Sequence, residues 1–191
     1  MTEPLPIFSA KLAWIAFFLY WIASARKLRA VKKRESQWQR LEHLLPLAVA
    51  YLLLLTTGID FGWLSKRFFP NIAAINIFAV ALTFAGVAFA IWARWHLGAN
   101  WSGTVTLKAG HELIRTGPYR SIRHPIYTGM LLAVIGTALA LGELRGILAF
   151  LTILAAFYRK ARREERFLQQ EFGEKFAAHL WHTGMFLPRL S

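Results

Sequence analysis

The chain reads as an all-α integral membrane fold of about five transmembrane helices, the last two forming a C-terminal helical hairpin, and three observations carry that reading. Apolar residues make up 56% of only 191, and the mean hydropathy is positive, which is too greasy for a soluble domain of that size. The apolar residues fall in runs of membrane-crossing length rather than in short alternating patterns. The Lys and Arg residues, which leave a net charge of +13, cluster between those runs, as the positive-inside rule requires. That rule explains the charge more simply than nucleic-acid binding does, so no nucleic-acid partner is expected. Zero cysteines exclude disulfides, thiolate metal sites and a cysteine nucleophile.

The first span is Ile7 to Ala25, apolar apart from Lys11 and two serines and just long enough for roughly 30 Å of hydrocarbon. The acidic, Pro-containing MTEPLPIF ahead of it lacks the order of a signal peptide, so a retained span is expected. Arg26 to Arg40 carries seven basic residues against one acidic and is placed on the cytoplasmic side, facing anionic membrane lipids. Leu44 to Leu64 is the second span, with an external loop after it that Pro70 breaks. Ile72 to about Trp92 is the third, with Gly86 positioned for close approach of a neighbouring helix. Trp92, Trp95 and Trp101 mark the interface. The chain thus divides into a three-helix N-terminal part, 1–97, and a second part, 98–191, in one domain. Arg94 to Arg123 is polar with five basic residues. Ile126 to Leu141 and Gly146 to Tyr158 then form the hairpin about LGELRG, each run short enough that its helix extends into polar flanks. The charged C-terminal stretch favours helix as far as Phe172, with Gly173 as a break, and carries seven more basic residues. This topology puts 19 of the 23 Lys and Arg residues inside, and with them the functional segments of a protein of the inner, cytoplasmic membrane.

The densest polar, ring-bearing segment runs from His111 to Tyr127: two histidines, two tyrosines, three arginines, a Gly-Pro turn and an Arg-His-Pro corner within seventeen residues. A helical hairpin brings the two segments that flank it close together, so His124 and Tyr127 are expected near Glu164. Pro125 suits the first turn of the fourth helix and presents His124 at the helix entrance, where an anion such as a ligand carboxylate is favoured. Glu164 and Glu165 point about 100° apart on a helix, so one faces a site while the other faces Arg or water.

These motifs resemble a prokaryotic-type member of the membrane methyltransferases typified by isoprenylcysteine carboxyl methyltransferase and the phospholipid methyltransferases. The resemblance covers Trp101 to Pro188 and rests on HELI at 111–114, TGPY at 116–119, RHPIYTG from Arg123, the Glu164–Glu165 pair and FGEKF from Phe172, in that order across a hairpin. It implies a cytoplasm-facing pocket for S-adenosylmethionine, contacted by His111, Glu112, Leu113, Ile114, Tyr119, His124, Pro125, Ile126, Tyr127 and Glu164 or Glu165. The cofactor chemistry fits these residues: an ammonium for a carboxylate, and a sulfonium for the face of Tyr127 or Tyr119. The implied acceptor is a lipophilic or lipidated molecule entering from the bilayer. Lys160, one turn before Glu164, is its expected contact, and with Tyr127 and Glu164 forms the expected catalytic set. The isoprenylcysteine enzymes carry Arg where this chain has Lys160, which loses a bidentate fork to a carboxylate.

Competing readings stand beside this one. An interfacial Tyr or His also serves as a membrane anchor, and Glu164 can merely pair with Lys160. His179 and His182 form an HxxH, but structural zinc wants about four ligands and no second pair is present, so no metal is expected. A sterol-type membrane reductase would use NADPH and need a phosphate-binding basic pocket, for which Arg120 and Arg123 are the candidates. A phospholipid N-methyltransferase and a non-enzymatic membrane scaffold complete the set.

Overall fold

The computed structural model describes residues 3–24, 31–34, 37–98, 101, 106–108 and 113–189. Among these described residues six α-helices dominate: α1 (Leu5–Ser24), α2 (Gln37–Leu55), α3 (Ala73–Leu97), α4 (Pro125–Leu141), α5 (Leu144–Phe172) and α6 (Glu174–His182). A two-stranded antiparallel ribbon joins β1 (Val31–Arg34) to β2 (Thr106–Lys108). The all-α expectation thus holds for the bundle, while the ribbon adds strand where the sequence pattern indicates loop.

Helices α1 and α3 are each long and apolar enough to cross a membrane. Their outward faces carry exposed Leu5, Leu12, Leu19, Ile22, Ile77 and Phe78, a surface that water would penalise and lipid would not. These faces suit a lipid surrounding, as the membrane reading of the sequence expects. The apolar parts of α2 and α4 are shorter.

The helix at the second expected span is displaced from its predicted place. The apolar pattern predicts helix over Leu44–Leu64, but α2 starts at Gln37 and stops at Leu55. Gln37, Gln39, Arg40 and Glu42 are good helix formers to which an apolar window is blind. Thr56, Thr57 and Gly58, with φ +80, end the helix, and Gly62–Ser65 forms a separate 3₁₀ turn. At this end of the bundle Arg145, buried at the start of α5, donates to the carbonyls of Leu53 (2.9 Å) and Thr56 (2.5 Å) and pairs with Glu143 at 2.6 Å. It ties α5 to the end of α2.

The core forms where α3 and α4 pack backbone to backbone. A Cβ on Gly86 would lie 2.4 Å from the Ala133 nitrogen, and one on Gly129 would lie 2.6 Å from the Ala90 nitrogen. The close approach expected at Gly86 is therefore real, and its partner is α4. Small residues are what permit it, since lipid offers no hydrophobic force between helices and contact must come from close packing. Trp14, Phe17, Val134, Ile153 and Phe157 fill the adjoining space, and the indole of Trp14 donates to Thr137 Oγ1 at 2.9 Å.

The hairpin forms as expected. Gly142 caps α4 in the left-handed region, and α5 runs from the apolar hairpin straight into the charged segment until Gly173, with φ +49, stops it. Its continuity rigidly fixes Lys160, Glu164 and Glu165 relative to the hairpin packing.

Candidate active site

Pro125 occupies the first turn of α4 and His124 is its N-cap residue, as the RHP corner predicts. Thr183 to Phe186, after α6, folds back across this corner. The Arg123 and His124 amides donate to the carbonyls of Gly184 (2.9 Å) and Met185 (3.1 Å), and Thr128 Oγ1 donates to the Phe186 carbonyl at 2.7 Å. The two amides just ahead of the helix are thereby satisfied by the chain itself.

The α5 carboxylates meet this corner. Glu165 is buried and accepts from Arg123 Nε at 2.7 Å, while Arg123 Nη1 also donates to the Thr183 carbonyl. His124 lies between the two acids, with Nδ1 3.4 Å from Glu164 Oε2 and Nε2 3.3 Å from Glu165 Oε1. Tyr127 donates from its hydroxyl to Glu164 Oε1 at 2.8 Å. Only the imidazolium form of His124 can donate from both ring nitrogens. Burial opposes that charge, but the hydrogen bonds from the ring to Glu164 and Glu165 outweigh it and hold the His124 pKa above its ordinary value. Burial likewise opposes the charged carboxylates. For Glu164 the bonds from His124 and Tyr127 and the nearby Lys160 charge prevail; for Glu165, those from His124 and Arg123 do. Both pKa values therefore lie below the ordinary range. Arg123 and the His124 imidazolium, with Arg162 3.8 Å from Glu165 and Lys160 nearby, thus compensate the two carboxylates in a small volume.

The two carboxylates differ in partner and exposure. Glu165 faces Arg123 and keeps 7% of its side-chain surface, whereas Glu164 keeps 23%. Glu164 is the more accessible carboxylate. Lys160 places its ammonium 5.8 Å from the centre of the Tyr127 ring, so it shares a face of α5 with Glu164. The structure thus gathers His124, Tyr127, Lys160, Glu164 and Glu165.

The other expected contacts are distributed around this group. Tyr119 is buried in the 3₁₀ turn Gly117–Arg120; its hydroxyl donates to the Ala93 carbonyl at 3.4 Å, and its ring stacks on His96. Burial and the Glu164 charge push its pKa up. The turn requires Gly117, whose φ is +56 and whose hydrogen faces the His96 ring where a Cβ would sit 2.6 Å away. Ile126 packs with Ala93 and Trp101, so it lines the α3 side of the corner. Leu113 and Ile114 are half-buried in the approach to the 3₁₀ turn. His111 and Glu112 lie outside the described residues.

The structure also places residues that the sequence motifs do not assign here. Phe157 stacks on Tyr127 with centroids 4.7 Å apart, and Phe186 lies edge-on to Tyr127 and His124 at 6.5 and 6.3 Å. Arg123, a phosphate-ligand candidate by sequence, is instead the partner of Glu165. Its sequence signal is its place in the RHP motif; Thr183 and Phe186 have none, because the segment after α6 carries no periodicity. His179 of the HxxH is buried near Phe176. Burial, reinforced by the Arg115, Arg123 and His182 charges, lowers its pKa. Among the described residues no group of three or more His, Asp or Glu side chains is arranged to hold a metal ion.

Comparison with known proteins bears on the same region. Residues 74–175, from α3 to just beyond α5, match the phospholipid methyltransferase family. The chain is 30% identical over 145 residues to the cobalt-zinc-cadmium resistance protein CzcN of Cupriavidus metallidurans, covering 75% of this chain and 59% of the relative. It is 38% identical over 78 residues to a probable protein-S-isoprenylcysteine O-methyltransferase of Oryza sativa subsp. indica, covering 39% of this chain and 41% of that one. The eukaryotic intramembrane Ras methyltransferase ICMT shares the fold with a TM-score of 0.52 at 22% identity, over 78% of this chain and 50% of the other. The chain therefore spans between 41% and 59% of the length of these relatives. The family match covers more than half of the chain and contains Arg123, His124, Tyr127, Lys160, Glu164 and Glu165 within one connected arrangement, and the chain belongs to the phospholipid methyltransferase family.

Proposed function

We propose that the chain is an S-adenosylmethionine-dependent methyltransferase that acts on a lipophilic acceptor at the membrane–cytoplasm interface, resembling the protein-S-isoprenylcysteine O-methyltransferases. The observation that carries the reading is the partly accessible Glu164 carboxylate, held by Tyr127 and His124 at the mouth of the α4–α5 hairpin.

The residues fit the cofactor's charges. Glu164 offers an anion for an ammonium group, and the half-buried ring of Tyr127, backed by Phe157 and edged by Phe186, offers π density for a sulfonium. When bound, S-adenosylmethionine supplies an electrophilic methyl group on sulfur. The protein's part is to align the acceptor and exclude water. Lys160 stands one turn from Glu164, over the Tyr127 ring, where it can orient an anionic group of the acceptor. Glu165 holds no ligand in this scheme: with Arg123 it fixes the ring of His124, which in turn fixes Glu164. Tyr119 serves by packing, its hydroxyl being spent on α3.

Five membrane crossings, with the 26–40 segment and the C-terminus on the cytoplasmic side, bring a water-soluble cofactor and a bilayer-borne acceptor together at this corner. The basic residues distributed as 19 of 23 on that side support this orientation. An active periplasmic phosphatase fused after Ser191 would contradict it. For the activity, calorimetry of the detergent-purified protein is expected to show saturable binding of S-adenosylmethionine and S-adenosylhomocysteine, and none of NADPH. Binding of NADPH alone would transfer the site to reductase chemistry; binding of none of the three would leave a scaffold.

A further inference from the structure

His43 lies on α2, outside the motif-bearing segments of the second half of the chain. Its ring centroid is 6.2 Å from that of Phe157, Phe157 is 4.7 Å from Tyr127, and Tyr127 is 5.5 Å from His124. Four rings therefore form one continuous wall across α2, α5 and the start of α4. It starts beside the Glu164–His124 corner and ends at His43, and Lys160 overhangs its middle. The charged groups that bear on His43 are Lys160, Glu164 and Arg163. Arg163 Nη2 pairs with Glu42 Oε2 at 2.5 Å, which clamps α2 onto α5 one residue from His43 and sets its register against Phe157.

The Nδ1 atom of His43 is buried and has no hydrogen-bond partner. The Ala156 backbone lies beside the ring on the α5 side. In the neutral ring one nitrogen carries the hydrogen and the other a lone pair, and with the hydrogen on Nε2 the buried Nδ1 is an acceptor. A buried acceptor left without a donor costs stability that a packed apolar side chain at this position would not. It is matched only when something brings a donor to it.

We propose that His43 is a positioning residue for the methyl acceptor, receiving through Nδ1 a hydrogen bond from an N–H or O–H of the acceptor's head group at the far end of the ring wall. The inference rests on the methyltransferase reading and deepens it. The cofactor side of the wall is bounded by Glu164 and His124, and the acceptor side by Lys160 and His43. An acceptor held by both would present an anionic group to Lys160 and a hydrogen-bond donor to His43, with its apolar chain leaving between the helices. That polarity describes an acylated amino acid on a lipid chain, or an aminophospholipid.

The two probes are N-acetyl-S-farnesylcysteine and phosphatidylethanolamine, each offered with radiolabelled S-adenosylmethionine to the full chain in detergent. His43→Asn places a polar atom where Nδ1 was, His43→Gln places one where Nε2 was, and His43→Leu keeps bulk alone. With the probe that wild-type protein methylates, His43→Gln and His43→Leu are expected to raise the acceptor KM by about tenfold, as loss of one hydrogen bond worth about 1.4 kcal/mol implies. Their affinity for S-adenosylhomocysteine stays within about twofold of wild type, and His43→Asn recovers most of the acceptor KM. A merely structural histidine would lose cofactor affinity and acceptor KM together, or would be rescued by Leu; either result overturns the proposal. Unchanged acceptor KM in all three variants overturns it too, while leaving the methyltransferase reading intact. Failure of wild-type protein to bind S-adenosylmethionine sinks that reading instead, and the role of His43 with it.

Discussion

Glu164→Gln is expected to weaken S-adenosylmethionine binding about 10- to 150-fold while the protein stays folded. The amide keeps the shape of the carboxylate and still accepts from the Tyr127 hydroxyl, which lies 2.8 Å from Oε1. What it loses is the negative charge facing a ligand ammonium. A charge-assisted hydrogen bond in a partly dehydrated site is worth roughly 1.5 to 3 kcal/mol, which gives that range of affinity. An exposed surface pair would contribute only about 0.3 to 0.5 kcal/mol, so the size of the loss separates ligand from ornament. Glu165→Gln is the control. Because Glu165 is turned to Arg123, its change should lower thermal stability and leave the cofactor affinity of the folded protein within about twofold. Calorimetry on both variants decides the matter: the opposite pattern would exchange the two roles, and no effect from either would remove the cofactor from this corner.

The features legible in the sequence are those set by local chemistry and short-range geometry. Pro125 at a helix start, Gly173 at a helix stop and the hairpin about Gly142 each reflect what one residue type permits. The approach of Tyr127 to Glu164 comes from hairpin connectivity alone. The α2 boundary escapes because a hydropathy window sees apolar residues and not helix formers: Gln37, Gln39, Arg40 and Glu42 are polar yet helical, and Leu55 gives way to residues that break the helix. The β1–β2 ribbon escapes because its two strands are short and more than seventy residues apart in sequence. Within the site, the position of His124 is legible but its partners are not. The helix entrance suggests a ligand carboxylate, whereas the chain supplies both carboxylates itself. Nothing in a single sequence says that Thr183 to Phe186 returns to cover α4, and so neither the strap nor the ring wall ending at His43 can be read in advance.

The same self-compensated corner makes Arg123→Met the most destabilising change expected in the site. Arg123 and Glu165 are buried partners at 2.7 Å, with 13% and 7% of their side-chain surfaces exposed. Removing the guanidinium leaves a buried carboxylate short of a counter-charge and leaves the Thr183 carbonyl short of a donor, a loss of about 3 to 5 kcal/mol when a buried pair is broken. Adding Glu165→Gln should return part of it, since the double variant no longer buries the unmatched charge. The pH dependence gives an independent check. Glu164 and Glu165 have folded pKa values below the ordinary 4.5, so their contribution is fully present above that value and is lost as pH falls through the depressed ones. His124 has a folded pKa above the ordinary 6.5, so its contribution is fully present below 6.5 and is lost as pH rises through the elevated one. The network should therefore stabilise most between these two ordinary values. In Arg123→Met the Glu165 carboxyl keeps one fewer cation, its folded pKa rises, and the acid limb of the stability curve should move to higher pH. Thermal unfolding in detergent across this range tests both claims. An Arg123→Met protein within about 1 kcal/mol of wild type, with an unmoved acid limb, would mean that the pair does not hold the corner together.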